Sequence, residues 1–449
     1  MRILIHGIDF LPEKVGIGKY TGEMAEWLVE HGHDVTVLTS PPHFPGWKVF
    51  EGYSSWKYKR EKSARRTDPG SLRVIRCPVW IPKHPSGWRR ILYLLSFAIT
   101  SSLPMLAQIF REPDVVLTIE PSLVCAPLSL LVARLTRACS WLHIQDFEVD
   151  AAFTVGGLIS SKQKRLALML EGFAMRRFGR VSTISASMLE RLIDKGVNPS
   201  KSVLFGNWVD TQAIHPIKRP NEIRRELRIP EAGIVALYSG SMGAKHGLEL
   251  LVDVSHRLRS RKDLFFVFCG DGPYKDKILA ARTSNTRVLP LQPIERLNEL
   301  LNVADIHLLP QVAGVSNIVM PSKLTGMMAS GRAIIATADA GTELHRALEG
   351  RGLVTPPGDA ETFARTLLHL ADDPQLRERL GKNARDYAVR YLDRAKILSE
   401  FENVLLRARA AQASADETLP HVTMRSEEAN CYERARTVAE SLSHPGSER

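Results

Sequence analysis

The 449-residue chain predicts an α/β protein of two doubly wound domains facing a cleft. Its length exceeds what one hydrophobic core organises. Two successive series of short apolar, strand-like runs alternate with helix-like segments. Between the series, Pro216 and Pro220 break the pattern within 207–220.

The first series runs through 3–6, 35–38, 74–75, 115–119, 141–144 and 181–184, and its alternation with helical segments argues a parallel sheet. The second runs through 203–205, 235–239, 264–269, 288–291, 306–309 and 333–336. Sheets of this kind place ligands at the carboxyl ends of their strands. The expected domains are 1–206 and 207–385, followed by a long helix over 386–409. From 410 to 449 the chain is poor in hydrophobics and rich in Ser, Glu and Arg, the composition of a disordered tail.

A formal charge of +11 points to phosphate or anionic-lipid partners. The charge is uneven: residues 45–90 hold twelve Lys and Arg against three acids, with four of the seven Trp. Five cysteines, odd in number and without metal-type spacing, fit a reducing cytosol. The opening residues 1–7 read as a first strand, too quickly polar for a signal peptide, so the expected location is cytoplasmic. Residues 91–110 are uncharged and flanked by Arg89, Arg90 and Arg111, about the length that spans a bilayer. The strand-like runs on either side must join one sheet, so the segment reads as a helix docked on that sheet that also reaches the membrane interface.

The stretch 320–331, Met-Pro-Ser-Lys-Leu-Thr-Gly-Met-Met-Ala-Ser-Gly, carries the most chemical information. Pro321 and Ser322 open a helix, Lys323 lies in its first turn, and Leu324, Met327 and Met328 share a face. Such a start is an anion seat, although a packed crossover helix ending at glycine has the same pattern. Gly16 and Gly18, in the loop 15–22 before a helix, permit close approach of a phosphate or sugar. The loop 142–150 follows a strand end and offers His143, Asp146 and Glu148 for acid/base work; a hydrogen-bonded structural histidine is the competing reading. Gly240, Ser241 and Gly243 form a glycine-rich turn ending in Lys245 and His246, fit to hold a diphosphate. Gly270 and Asp271 lie in a Gly-Asp-Gly-Pro turn.

The run 303–310 (Val-Ala-Asp-Ile-His-Leu-Leu-Pro), then Pro321-Ser-Lys323, then 329–337 (Ala-Ser-Gly-Arg-Ala-Ile-Ile-Ala-Thr), resembles the sugar-donor site of family 4 glycosyltransferases. Within that family it is similar to the WcaI-like subgroup of colanic acid and related exopolysaccharide assembly, and the resemblance covers 1–408. It implies the GT-B fold, two Rossmann-like domains, with a terminal helix crossing back to the first. Gly16 and Gly18 match the family's glycine pair, and His143 and Asp146 its polar cluster at the transferred sugar and acceptor. Gly240, Ser241, Gly243, Gly270, Asp271, Ser322, Lys323 and Leu324 fall on the donor side, and either Lys245 or His246 takes the cation's role.

The implied reaction is retaining transfer of a sugar, fucose in this subgroup, from a GDP or UDP donor to a polyprenyl-diphosphate-linked saccharide at the inner face of the cytoplasmic membrane. No cofactor is expected. No metal is expected either, because the chain has no Asp-x-Asp. There is one departure: where many members carry two glutamates eight positions apart, this chain has Ile318 and Gly326. An inactive nucleotide-sugar-binding scaffold and a sugar-nucleotide epimerase are the rival readings. A nucleic-acid partner is disfavoured by the absence of helix-turn-helix, zinc spacing or aromatic RNP run.

Overall fold

The computed structural model describes residues 1–63, 68–83, 87–121, 123–147, 161–217, 221–243, 246–313 and 321–417. Two compact units emerge: Met1–Gly206 with the terminal helix from Leu398, and Asn207–Ile397.

The first unit is built on eight strands: β1 (Arg2–His6), β2 (Asp34–Thr39), β3 (Lys59–Ser63), β4 (Ser71–Arg76), β5 (Val115–Glu120), β6 (Cys139–Ile144), β7 (Arg180–Thr183) and β8 (Ser202–Leu204). Their order is β3-β4-β2-β1-β5-β6-β7-β8. All pairings are parallel except β3 with β4. Strands β1 and β5 are apolar and buried, as central parallel strands must be.

Strand order decides which side each helix covers. Helix α1 (Gly16–Glu30) makes the step from β1 to β2 in one direction. Helix α2 (Trp88–Leu106), helix α3 (Ala126–Thr136) and the helix Ser161–Met175 make steps in the other. Right-handed crossovers therefore put α1 on one face and the other three on the opposite face, together with the helix Ala186–Asp194, which makes the step from β7 to β8. Met105 of α2 shares a buried cluster with Val132 and Ala133 of α3, and Ala126 of α3 shares another with Met175.

Trp88–Arg111 is long and apolar enough to cross a membrane by length and composition. It does not leave the unit: Tyr93, Leu94, Phe97, Ser101 and Met105 are buried on its inner side. Its outer side exposes Ile91, Leu95, Ile99, Leu103 and Phe110, the last 91% exposed.

The second unit is a six-stranded sheet of order β11-β10-β9-β12-β13-β14. These strands are β9 (Ile234–Ser239), β10 (Leu264–Cys269), β11 (Thr286–Leu289), β12 (Ile306–Leu309), β13 (Ala333–Thr337) and β14 (Leu353–Thr355). Every pairing is parallel. Arg224 braces it from within, donating to Asp305 at 3.2 Å and to the Val303 carbonyl, while Asp305 accepts from the amide of Val235.

Three expectations change, and one strand was not foreseen. The run at 203–205 belongs to the first sheet as β8, paired with β7, and does not open the second. The charged strand β3, Lys-Arg-Glu-Lys-Ser, is an edge strand whose sequence lacks apolar alternation. The single helix expected over 386–409 is two, Pro374–Tyr391 and Arg394–Glu417, because the Asp393 carboxylate accepts from the amides of Ala395 and Lys396 and starts a new helix. Residues 410–417 continue that helix, and 418–449 lie outside the described residues.

The terminal helix is part of the first unit's core. Phe401 stacks on Phe205 at 3.8 Å between ring centroids and meets Trp141 edge-on at 5.3 Å. Glu402 accepts from His33 and from the Trp27 indole, and Arg409 pairs with Asp114. We expect Phe401→Ala to cost about 3–5 kcal/mol of unfolding free energy, read by urea titration. A loss below about 1 kcal/mol would mean the helix is not held by this ring.

Candidate functional site

At the carboxyl ends of β9 and β10 two turns lie backbone against backbone. A Cβ on Gly270 would stand 2.0 Å from the Gly240 carbonyl oxygen, and one on Gly272 would stand 2.8 Å from the Met242 oxygen. Both positions carry strongly positive φ, +156° and +143°, so glycine is required twice over. The amide of Met242 donates to the Asp271 carbonyl at 2.8 Å, and that of Gly240 to the Cys269 carbonyl at 2.9 Å.

Lys323 reaches into this place. Its Nζ lies 3.1 Å from where a Cβ on Gly240 would be, donates to the Tyr238 hydroxyl at 2.8 Å and rides 4.2 Å above the Tyr238 ring. Tyr238 in turn donates to the Ser241 carbonyl. Burial pushes the Tyr238 phenol well above its ordinary value, so it remains a neutral hydroxyl. These contacts orient the ammonium. An oriented cation beside two tightly packed backbone turns is suited to a diphosphate.

Of the donor-side residues expected from sequence, the structure brings together Gly240, Ser241, Gly270, Asp271 and Lys323. Gly243 adjoins His246, whose ring lies 3.6 Å from a Cβ placed there, while Lys245 and Ile318 lie outside the described residues. Asp271 holds its place through its backbone; its side chain is exposed and pairs with Lys275 at 3.4 Å. Ser322 occupies the position before the helix Lys323–Ala329 in helical conformation, with no side-chain cap hydrogen bond.

Three expectations are corrected. Leu324 is 1% exposed and packs in the core with Met327 and Met328, and its amide is taken by the Pro321 carbonyl. Gly18 is buried in the first turn of α1, where the space of its missing side chain is filled by the Glu13 carboxylate. Glu13 Oε1 accepts from the amides of His43 and Phe44, so Gly18 serves that buried clamp. Gly16, at φ +64° before it, starts the helix.

The third is His143. It is 3% exposed, its Nδ1 lies 2.9 Å from the Ser182 hydroxyl, and its ring packs 4.9 Å from that of Phe205. Alternation along β6 puts it on the face of Trp141, against the terminal helix. A ring held there is part of the core. Asp146, half-buried just past the end of β6, keeps its place at the strand terminus, and Glu148 lies outside the described residues.

Two residues escaped the sequence reading. Tyr238 anchors the lysine from 85 positions away. Gln311, 8% exposed after β12, has a carboxamide oxygen without a hydrogen-bond partner among the described residues. Its backbone is locked to Thr337 and lies against Gly247, so it borders the same strand ends.

Burial pulls the His143 imidazole down to about 3 from an ordinary 6.5. Below pH 6.5 the unfolded chain then binds a proton the folded chain refuses, so stability falls as pH drops toward 3. The advantage of the native protein over His143→Gln should shrink by about 1.4 kcal/mol per pH unit between roughly pH 6 and pH 4, read by urea titration across that range. A constant difference would contradict the buried neutral histidine.

The description "Glycosyl transferase 4-like domain" matches residues 15–208, and "Glycosyl transferases group 1" matches 220–387. The chain is 38% identical over 417 residues to WcaI of Escherichia coli (strain K12), named as a colanic acid biosynthesis glycosyl transferase, covering 90% of this chain and 99% of that one. Among solved structures, sucrose-phosphate synthase of Thermosynechococcus elongatus superposes with a TM-score of 0.70 at 17% identity, covering 92% of this chain and all of the other. Anabaena HepE, solved in complex with UDP-glucose, gives 0.64 at 14% identity, covering 91% of this chain and 100% of its own. The fold is therefore GT-B, and the chain belongs to the family 4, group 1 glycosyltransferases.

Proposed function

We propose that this glycosyltransferase extends a polyprenyl-diphosphate-linked saccharide in exopolysaccharide assembly, taking fucose from GDP-fucose with retention of configuration. The observation that carries the reading is Lys323, held over Tyr238 at the crossing of the Gly240 and Gly270 turns. The pathway and the sugar rest on the likeness to WcaI over nearly the whole of that protein.

In the proposed reaction the acceptor hydroxyl oxygen bonds to the anomeric carbon on the face the diphosphate leaves. The bond between that carbon and the diphosphate oxygen breaks, and the hydroxyl proton passes to the leaving diphosphate. No protein nucleophile is needed. The protein's part is to hold the diphosphate while its charge develops, which Lys323 and nearby backbone amides do in the second unit. The chain contains no Asp-x-Asp, which favours this lysine-based handling over a metal held by paired carboxylates. Asp146, at the end of β6, is the remaining first-unit candidate for contact with the sugar or acceptor.

A second reading has one observation behind it: Ile318 and Gly326 stand where many relatives carry paired glutamates. A protein that binds a nucleotide sugar without transferring it would tolerate that loss. Transfer of labelled sugar to a lipid-linked acceptor, or hydrolysis of the donor, separates the two.

We further propose a peripheral position on an anionic membrane. Helix α2 exposes an apolar outer side, and the basic strand β3 lies beside it, with the Tyr58 hydroxyl donating to the Thr100 carbonyl of α2. The basic segment is smaller than its composition suggests. Arg76 is 3% exposed and bonds Glu61 and the carbonyls of Ser40 and Leu11, while Arg65 and Arg66 lie outside the described residues.

Thermal-shift screening with UDP, GDP and ADP identifies the base, since a ligand at about 100 times its dissociation constant adds roughly 2.7 kcal/mol of stability. With the preferred nucleotide, Lys323→Ala should raise the dissociation constant at least about tenfold, or 1.4 kcal/mol, in a protein that still folds. Unchanged binding would remove Lys323 from the donor site.

A further inference from the structure

We infer that the membrane-facing surface is formed by α2, α3 and the helix Ser161–Met175 on one side of the eight-stranded sheet, with the helix Ser161–Met175 as a second apolar foot across α3 from α2. The inference rests on the peripheral reading above and says which side chains enter the bilayer interface.

The helix Ser161–Met175 exposes Leu166, Met169, Leu170 and Phe173, each between 50% and 59% accessible. Their spacing of three, one and three places them on a single stripe. The opposite side is satisfied: Glu171, Gly172 and Met175 are buried, and Met175 packs in the core with Phe178 and Leu142. The outward stripe is therefore additional to the core-facing one, which a surface helix of a soluble domain does not need. Helix α3, lying between this helix and α2, adds Leu131 and Leu135, 45% and 57% exposed.

Charge says what covers the layer. Residues 88–111, 123–137, 161–177 and 186–194 carry eleven Lys and Arg and three acids. One of the three, Glu171, is turned inward, its side chain fully buried and paired with Lys195; the other two, Glu190 and Asp194, are exposed on the helix Ala186–Asp194. Arg177 lies 4.2 Å over the Phe173 ring, setting a cation at the edge of the stripe. An apolar layer whose cations far outnumber its outward acids complements an anionic lipid surface: the apolar side chains enter the acyl boundary while the cations stay at the headgroups. A second copy of the chain fits poorly, because a two-fold contact would set this cationic rim against itself.

The test is co-sedimentation of the full chain with vesicles of phosphatidylcholine and phosphatidylglycerol at low and high salt. Replacing Leu166, Met169, Leu170 and Phe173 with Ser should lower vesicle partitioning at least about tenfold at high salt, since the apolar part resists screening. Gln at Lys57, Lys59, Arg60 and Lys62 should weaken mainly the low-salt binding. Because the four stripe positions are exposed, the Ser variant should melt with the native protein. A label on Met169→Cys, in a Cys431→Ser background, gives a second readout, with blue-shifted emission expected on vesicle addition. Native binding with an unaffected Ser variant and an unshifted label would overturn the second foot and leave the peripheral reading standing. A native protein that ignores vesicles would overturn both. Loss of a dimer in the Ser variant would reassign the layer to self-association.

Discussion

The carboxyl ends of β9 and β10 bring two stretches of backbone closer than any side chain permits. At Gly270 even a methyl group would overlap the Gly240 carbonyl oxygen, and the hydrogen bond from Met242 to Asp271 exists because that overlap is avoided. This contact fixes the Ser241 carbonyl, which fixes the Tyr238 hydroxyl, which sets the height and direction of Lys323. The cation's position is thus inherited from a backbone constraint two contacts away. Small changes at the glycines therefore propagate to the charge.

The first unit distributes its surfaces differently. One face of its sheet is closed by α1 and the terminal helix, where Phe401, Phe205, Trp141 and the buried His143 form an aromatic seam. The other face is closed by four helices, of which α2, α3 and Ser161–Met175 also expose apolar side chains outward. The same sheet therefore presents an ordinary core to one side and, through its helices, greasy residues to the other. That asymmetry follows from strand order, since each reversal of direction in the sheet sends a crossover to the opposite face.

Central strands were legible because burial on both faces leaves uninterrupted apolar runs, as at β1, β5 and β10. The edge strand β3 was not, because its charged residues meet solvent and its pairing with β4 leaves no local signature. The run at 203–205 was assigned to the wrong sheet because prolines mark a break in the chain, whereas sheet membership is decided by which neighbour is within bonding reach. Lys323 was legible through its motif, but Tyr238 was not, since the two meet across 85 positions of the chain. His143 illustrates the opposite error. Its place near a strand end suggested a rim, while its alternation with Trp141 already pointed it into the core. The helical spacing of Leu324 with Met327 and Met328 carried the same message.

The terminal helix gives the protein an order of assembly. Its first residues belong to the second unit, where the Arg394 amide bonds the Val209 carbonyl, and from Leu398 it completes the first. On the ribosome the first unit emerges early, yet the helix that seals Trp141 and Phe205 follows only after the whole of the second unit. At about 5–20 residues per second that interval is on the order of 10–40 s. Throughout it the nascent first unit carries an open aromatic seam that no residue yet synthesised can cover. Folding of the two halves is thereby coupled by chain order: an isolated first half lacks the helix that closes its aromatic seam.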